Sequence, residues 1–519
     1  MLNRYLGPKT HDNINMFAVF ALAVGIPVSK IVMSLATLLL VINFLLNADY
    51  KGAWRRCRKN IVFWFVILTL LFHLLGLLYT TDLSYALRDL NTKLPFFSIP
   101  IVLIAYPIEK RFLNYIFYGF LLALLITSIV NLNFMIKNET TNYRDFSLFG
   151  SHIRYALLIV TGILLSLYLF LQKTRWKIFY FILGGWFIYY TFVSLVDSGY
   201  VAIVFLFLGG FIYYIKKGKP STFKKLIIIF TIVLIGIAGA KTFEYFSPKQ
   251  SGIDFKNLPT HSKSGEKYYH DTTSIWFENG YHILSNIAST ELEEAWVKRS
   301  DLNYNKITDS GHKLSSNLIR YMSSKGLTKD KEGIAKMSDD DIRNVENGMT
   351  SVNQTYGSLR MKLIHIKNEI HHYSVNGDPD GNSLLQRFEH WKAGKKIIIE
   401  NWAFGVGTGD LQEAFNNAYI ESNTQLDTEH WNRAHNQFMT FWISFGILGF
   451  VIFTGFWLWF LWRNIKLQNL IGICFTLIAI GSFLSEDTIE TQQGVTYIAL
   501  FMGIIALMNS WEIEKKDSI

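Results

Sequence analysis

Apolar residues along this chain fall into long uninterrupted runs that are separated by short polar stretches. Runs such as 61–79, 153–171 and 438–462 are near or above the roughly 20 residues that a helix needs to cross a hydrocarbon core of about 30 Å. The pattern predicts an all-α polytopic membrane protein with about twelve transmembrane helices. The predicted spans are residues 14–26, 31–46, 61–79, 94–106, 112–136, 153–171, 178–195, 200–215, 226–240, 438–462, 470–484 and 495–508.

Basic residues are concentrated in alternate short loops. Counted with the two termini, these loops hold about 21 Lys and Arg residues, against about five in the short loops of the other side. Because cytoplasmic loops hold the excess of basic residues and the number of spans is even, both termini are predicted to be cytoplasmic. The same distribution accounts for the net charge of +10 and gives no reason to expect a nucleic-acid partner.

One long polar segment, residues 241–435, interrupts the series of apolar runs. Alternation of the spans places it on the periplasmic side, and we expect it to be mainly helical. The chain is therefore predicted to have an N-terminal membrane domain of about nine spans (1–240), this loop (241–435) and a C-terminal membrane domain of about three spans (436–519). No role is predicted for the first part of the loop, 241–380.

The end of this loop contains the residue types best suited to chemistry. Residues 384–400 form a predicted helix on which spacings of four and seven place Arg387, Trp391 and Gly394 on one face. The following stretch, 404–410 (FGVGTGD), has three glycines, which permit tight turns and can expose backbone N–H groups to an anion. A GxGxG string alone is a weak signal, because the strand and helix of a nucleotide site do not surround it here.

His435 and Asn436 stand at the outer mouth of the next span, in the stretch AHNQFMTFWISFGILG. The order of an Arg-x-x-x-Trp helix, a Gly-rich turn and a His-Asn pair leading into a Gly-containing span resembles the signature of the O-antigen ligase family. The stretches GLLYTTDLSYALRDLNTKLPFFSIP around Lys93 and LSEDTIETQQG around Glu486 are similar to that family as well. The resemblance covers the membrane domains and the end of the loop, whereas residues 241–380 make this loop longer than the family's usual one.

The resemblance implies a GT-C-like fold and a glycosyltransferase activity. Members transfer a glycan from undecaprenyl diphosphate to an acceptor hydroxyl, here expected on lipid A-core, at the periplasmic face of the inner membrane, with inversion and without a metal or other cofactor. By motif match, Arg387 would bind the diphosphate and His435 would act at the reaction centre. A guanidinium can bond two phosphate oxygens at once, and an imidazole can accept a hydroxyl proton near neutral pH.

Further substrate contacts are predicted for five residues. They are Lys93, Arg154, Trp391, Asn436 and Glu486. The two basic residues lie at the outer ends of spans, where the ordinary alternative is that they snorkel to the membrane surface. Many family members have a Ser-Arg-Gly triplet at the outer start of a mid-chain span, but this chain reads DSGY at 197–200. Arg154 is our candidate for the charge that is missing there.

Two other functions are weighed against this one. An O-antigen or exopolysaccharide polymerase uses the same class of donor but extends a second lipid-linked repeat, and sequence motifs separate it poorly from a ligase. A secondary transporter can also have about twelve spans, but it would normally show paired halves and ionisable residues near the bilayer midplane, and neither is evident here. The sequence therefore favours an O-antigen ligase-like glycosyltransferase.

Overall fold

In the computed structural model, the described residues are 7–47, 49–137, 147–172, 175–218, 257–274, 276–308, 313–355 and 383–517, with isolated residues between 218 and 257 and between 355 and 383. They form two compact units. The membrane unit consists of described residues within 1–225, 390–424 and 429–519, and the loop unit of those within 226–389 and 425–428. Each unit has a hydrophobic core of its own.

The first helices of the membrane unit follow the apolar runs of the sequence, except for the basic helix Tyr50–Cys57. They are Pro8–Val28 (α1), Lys30–Asn47 (α2), Tyr50–Cys57 (α3), Ile61–Gly76 (α4), Leu83–Ala105 (α5), Leu113–Lys137 (α6), His152–Leu171 (α7), Lys177–Val193 (α8) and Asp197–Lys216 (α9). A 3-10 turn, Lys110–Phe112, precedes α6. The predicted span 226–240 lies outside the described residues except at its end.

The loop unit combines short helices with one antiparallel hairpin. The strands are Phe277–Glu278 (β1) and Tyr281–His282 (β2), and the helices are Ser289–Val297 (α10), Leu314–Ser324 (α11), Lys331–Ala335 (α12) and Asp339–Glu346 (α13). A 3-10 turn, Val352–Thr355, follows them. Trp296 on α10 and Tyr321 on α11 are fully buried in its core, so this insertion buries apolar surface without drawing on the membrane helices.

The remaining helices are Ser383–Glu400 (α14), Leu411–Ser422 (α15), Gln437–Leu467 (α16), Leu470–Ser485 (α17) and Gln492–Asp517 (α18). The 3-10 turns Thr428–His430 and Thr488–Glu490 lie before α16 and α18. Asparagines cap two of these helices: Asn436 accepts the Met439 N–H at 3.1 Å, and Asn469 accepts the Gly472 N–H at 3.0 Å. In the core, α17 packs on α9, and α18 packs on α5.

Seven helices of the described chain are long and apolar enough to cross a membrane, or eight if α3 and α4, bent by 95° at their junction, count as one span. The helices α8 and α17 are apolar but shorter. An all-α membrane protein therefore agrees with the structure. The number of twelve spans stays a prediction, and the helix predicted at 94–106 in fact begins at Leu83, because Asp82 caps it by accepting the Tyr85 N–H.

The span predicted at 438–462 is not one straight helix. Gly446 in α16 has φ 65° and ψ −165°, far from helical values. The ring centroids of Phe441 and Phe453 are 4.0 Å apart, whereas a straight helix would separate these residues by about 18 Å. Trp442 and Phe450 also stack, at 4.5 Å. Residues 437–445 therefore fold back against the helix that follows the break.

The Gly-rich turn occupies the break in α16. The Val406 N–H donates to Ile443 O at 2.8 Å, and the Ile447 N–H donates to Trp402 O at 2.9 Å. A Cβ at Gly446 would lie 2.1 Å from Ala403 O, so no side chain fits there. The two segments thus satisfy backbone groups that a broken helix would otherwise leave without partners inside an apolar environment.

We expect Gly446→Ala to destabilise the protein by about 3 kcal/mol or more, because the backbone region is nearly exclusive to glycine and the methyl group meets a carbonyl oxygen. Thermal unfolding in detergent measures the effect. Gly455→Ala is the matched control in the same helix, since a Cβ there meets nothing within 4 Å and alanine favours a helix by up to about 1 kcal/mol. Equal midpoints for the two variants would contradict the assigned break.

Candidate functional site

Three of the predicted site residues meet at one end of the membrane unit. Glu486, at the end of α17, has its Oε2 atom 3.2 Å from Nη1 of Arg154 and 3.5 Å from Nδ1 of His435. The Glu486 side chain is only 2% exposed, whereas that of His435 is 35% exposed. One buried carboxylate oxygen therefore lies between a guanidinium and a solvent-accessible imidazole.

Arg154 has further contacts that fix its position. Its Nη2 atom donates to Asp487 O at 2.9 Å, and its side chain is 8% exposed. A guanidinium with several oriented acceptors loses little freedom when it holds a carboxylate. The role that the structure shows for Arg154 is to hold Glu486 and the connection between α17 and α18; its contact with a substrate stays a prediction.

The backbone of His435 adopts an unusual conformation. Its φ of +47° lies in the left-handed region, which non-glycine residues rarely occupy. The His435 N–H donates to Asp487 Oδ2 at 3.1 Å, and the other oxygen of that carboxylate accepts from Thr440 Oγ1 at 2.6 Å. Asp487 therefore holds the strained residue by its main chain while Glu486 faces its ring.

A second cluster surrounds Glu490, whose side chain is 2% exposed. Its Oε2 atom is 2.9 Å from Lys93 Nζ and 3.3 Å from Arg433 Nη1. Its Oε1 atom accepts from Gln437 Nε2 at 2.9 Å. Burial alone would raise the pKa of Glu490, but the adjacent Lys93 and Arg433 outweigh it and lower that pKa. The carboxylate is therefore ionised and joins α5, the loop before α16 and the connection to α18.

The same cluster shifts the pKa of Arg433. Burial would lower its pKa, but Glu490 and Asp487 raise it above the usual range of a guanidinium. It also donates to Tyr85 OH at 3.2 Å. Sequence reasoning missed both Arg433 and Glu490; the available signal was that Arg433 precedes His435 by two residues in the same loop.

Lys93, predicted to contact substrate, forms ion pairs with two acids. Its ammonium is 2.8 Å from Asp89 Oδ2 as well as 2.9 Å from Glu490 Oε2, and the side chain is 7% exposed. It lies inside α5 rather than at the beginning of a span. These ion pairs favour a structural role, and a contact with a substrate phosphate stays a prediction.

Trp391 and Asn436 line a large apolar cavity in the membrane unit, of about 1050 Å³. Trp391 Nε1 donates to Ala434 O at 2.9 Å, which ties α14 to the residue before His435. The cavity walls come from α14, α16 and α17 and are mostly apolar, with Lys395 supplying a charge. Such a cavity, lined by the residue that follows His435, suits a long apolar ligand with a polar end.

The glycines of the Gly-rich turn do not leave their N–H groups open to an anion, as the sequence allowed. The Gly405 N–H donates to Asn401 O, the Gly407 N–H to Ser444 O, and the Gly409 N–H to Thr80 Oγ1. The glycines are needed for close packing, since a Cβ at Gly405 would lie 2.5 Å from the Ser444 carbonyl carbon. The N–H groups of the three glycines are therefore used within the fold, and the turn supports the segment before α16.

Arg387 lies on α14, one helical turn before Trp391, and its side chain is half-buried. By packing it belongs to the loop unit. Gly394, predicted on the same face, allows α14 to approach α16 closely, because a Cβ there would lie 2.8 Å from Met439 Cε. The helix predicted at 384–400 is present as α14. That Arg387 and His435 converge on one site stays a prediction.

These features define a multi-pass α-helical membrane protein with a histidine-containing charged site at one end of its helices and an apolar cavity beside it. A family model described as O-antigen ligase matches residues 348–454, which include α14, the Gly-rich turn, His435 and the break at Gly446. The match confirms, over these residues, the resemblance found in the sequence. A search of curated proteins found no matching relative.

We expect Glu490→Gln to lower the free energy of unfolding by about 3 kcal/mol, because it leaves the buried Lys93 and the partly buried Arg433 without their shared carboxylate. Because the pKa of Glu490 is lowered, its contribution to the free energy of unfolding is complete above about pH 5 and is lost as the pH falls further. The stability of the Glu490→Gln variant should therefore change less on acidification than that of the wild type. Unfolding in mixed micelles between pH 2 and 7 measures both.

Glu109→Gln is the control for this prediction. Glu109 pairs with Arg111 at a membrane-unit surface where the two side chains are 56% and 73% exposed. Its removal should change stability by less than about 1 kcal/mol at any of these pH values. A Glu490 variant as stable as the Glu109 variant would show that the cluster contributes nothing.

Proposed function

We propose that this protein moves a glycan from undecaprenyl diphosphate to an acceptor hydroxyl, with lipid A-core as the acceptor, at the periplasmic face of the inner membrane. The observation that supports this most directly is that His435, braced by Glu486, directly precedes Asn436, which lines the apolar cavity. A reactive group and a space for a lipid thus adjoin each other. The family match supports glycan transfer in general terms.

The cavity supports a lipid-linked donor. Its walls include Trp402, Trp442 and Leu484, and burial of each methylene of an isoprenoid chain there would contribute about 0.8 kcal/mol. Lys395, at the same cavity, offers a charge to the polar end of the lipid. A soluble sugar nucleotide would find few hydrogen-bonding groups on these walls.

In the proposed reaction the acceptor hydroxyl loses its proton to His435. Nδ1 of His435 faces Glu486, so Nε2 is the nitrogen available to the acceptor. The acceptor oxygen attacks the anomeric carbon as the bond from that carbon to the phosphate oxygen breaks, which inverts the configuration. Glu486 stabilises the imidazolium that forms, and Arg154 keeps Glu486 in place.

In this proposal Arg387 binds the leaving group. Undecaprenyl diphosphate departs as an anion, and a guanidinium can hold two of its oxygens at once. No metal takes part, so a chelator should not affect the reaction. The proposal also includes the GT-C-like arrangement of about twelve spans, cytoplasmic termini and a periplasmic loop.

We expect His435→Ala to reduce glycan transfer by about 10²–10⁴-fold, because the acceptor loses its base. Arg387→Ala should reduce it as well, by weakening the hold on the diphosphate. The assay uses purified protein in proteoliposomes with a lipid-linked oligosaccharide donor and lipid A-core, with and without EDTA. His261→Ala is the control, since that histidine is exposed in the loop unit.

Full activity of His435→Ala would remove this residue from the mechanism, and inhibition by EDTA would overturn metal independence. The product of the reaction distinguishes a ligase from a polymerase, the rival within the family. Glycan on lipid A-core indicates a ligase, whereas lengthening of the lipid-linked repeat indicates a polymerase.

A second prediction tests the cavity. Thr454→Trp should fill part of it and raise the KM for a donor on a full-length polyprenyl chain, with little effect on a donor whose chain has only two or three isoprene units. Val451→Trp is the matched control on the same helix, because residue 451 is exposed and does not line the cavity. An equal effect on both donors would show that the lipid chain lies elsewhere.

A further inference from the structure

A second cavity, of about 340 Å³, lies at the opposite end of the membrane helices from His435. Leu171 and Gln172, at the end of α7, line it, whereas Arg154 of the candidate site lies at the beginning of the same helix. At 1.5 Å a residue the two ends are about 25 Å apart, close to the thickness of a hydrocarbon core. The cavity therefore belongs to the other membrane face.

Charged groups of both signs line this cavity. Lys110 begins the 3-10 turn before α6, Lys217 follows α9, and Glu512 lies on α18. The Lys217 ammonium is 5.3 Å from the centroid of the Tyr213 ring, which also lines the cavity. Neither Lys110 nor Glu512 forms an ion pair with another residue in the described part of the chain. Two cations and one anion thus face a space large enough for a small ligand.

The remaining walls are of two kinds. Tyr168 and Gln172 supply polar atoms, and Gln172 is held by Asn114, whose Nδ2 donates to its Oε1 at 3.4 Å. Trp511 and Leu171 supply apolar surface, and Leu171 is 56% exposed, so the apolar wall continues onto the outside of the helices. The cavity is therefore polar inside and open toward the lipid side.

We propose that this cavity binds the headgroup of a phospholipid that contains both a phosphate and a primary amine, as phosphatidylethanolamine does. The two lysines fit the phosphate, and the Glu512 carboxylate fits the ammonium, so charges pair on both parts of the headgroup. The acyl chains extend along the exposed apolar wall at Leu171. This site is separate from the proposed glycan transfer and does not depend on it.

The charge pattern disfavours an anionic headgroup without an amine and a choline headgroup. A purely anionic headgroup would leave Glu512 facing a like charge, which is unfavourable. A choline headgroup has no N–H group with which to hydrogen-bond the carboxylate. The amine-bearing headgroup is the one that satisfies all three charged side chains.

Native mass spectrometry of the purified full-length protein, titrated with phosphatidylethanolamine, phosphatidylglycerol or phosphatidylcholine of the same acyl composition, tests the proposal. We expect wild type to retain the ethanolamine lipid about tenfold more tightly than the other two. Glu512→Gln should abolish that preference. Lys110→Gln combined with Lys217→Gln should reduce binding of all three lipids to the level of nonspecific attachment.

Lys177→Gln is the matched control, since Lys177 is exposed at the same end of the helices but does not line the cavity. It should bind lipid as wild type does. The thermal unfolding midpoint of each variant in detergent reports that it is folded. Equal binding of the three lipids by wild type, or unchanged binding by the double lysine variant, would overturn the proposal. Displacement of the lipid by soluble phosphoethanolamine at equal concentration would overturn the assignment to a membrane lipid.

Discussion

The pairing of buried charges is the constraint on which the candidate site depends. The short connection between α17 and α18 contains three acids: Glu486, Asp487 and Glu490. Their partners are Arg154, the main chain of His435, Lys93 and Arg433. An ion without a partner beside an apolar core is strongly unfavourable, so each acid holds a segment from elsewhere in the chain in a definite place. The connection thereby joins α5, α7 and the loop before α16.

A second constraint acts on the backbone. The break of α16 at Gly446 and the Gly-rich turn satisfy each other's N–H and C=O groups, so neither conformation would persist without the other. The fold-back of residues 437–445 places Asn436 at the apolar cavity and leaves the His435 ring partly exposed. The glycines of the turn thus support the fold-back beside which the His435 imidazole stays accessible.

The polar features of the membrane unit lie at two opposite ends of its helices. The end with His435 combines an accessible imidazole, buried acids and a large apolar cavity, while the other end has a small cavity lined by Lys110, Lys217 and Glu512. Between them the helices are filled with apolar side chains. The loop unit has its own core around Trp296 and Tyr321, so its helices and hairpin are stabilised locally.

The sequence by itself determined the apolar helices, because continuous runs of Leu, Ile and Phe have one stable form in a bilayer. It also identified the segment around Arg387, His435 and Gly446 that the family match covers. It could not give the break in α16, whose apolar residues are continuous across a glycine that helices often contain. It could not reveal Glu490 either, since an acid in a short loop looks like ordinary surface until folding buries it. Only tertiary structure decided which charges meet, because the partners are distant in sequence, by 57 residues for Arg433 and Glu490 and by 332 for Arg154 and Glu486. Their pairing is set by helix packing, not by local sequence.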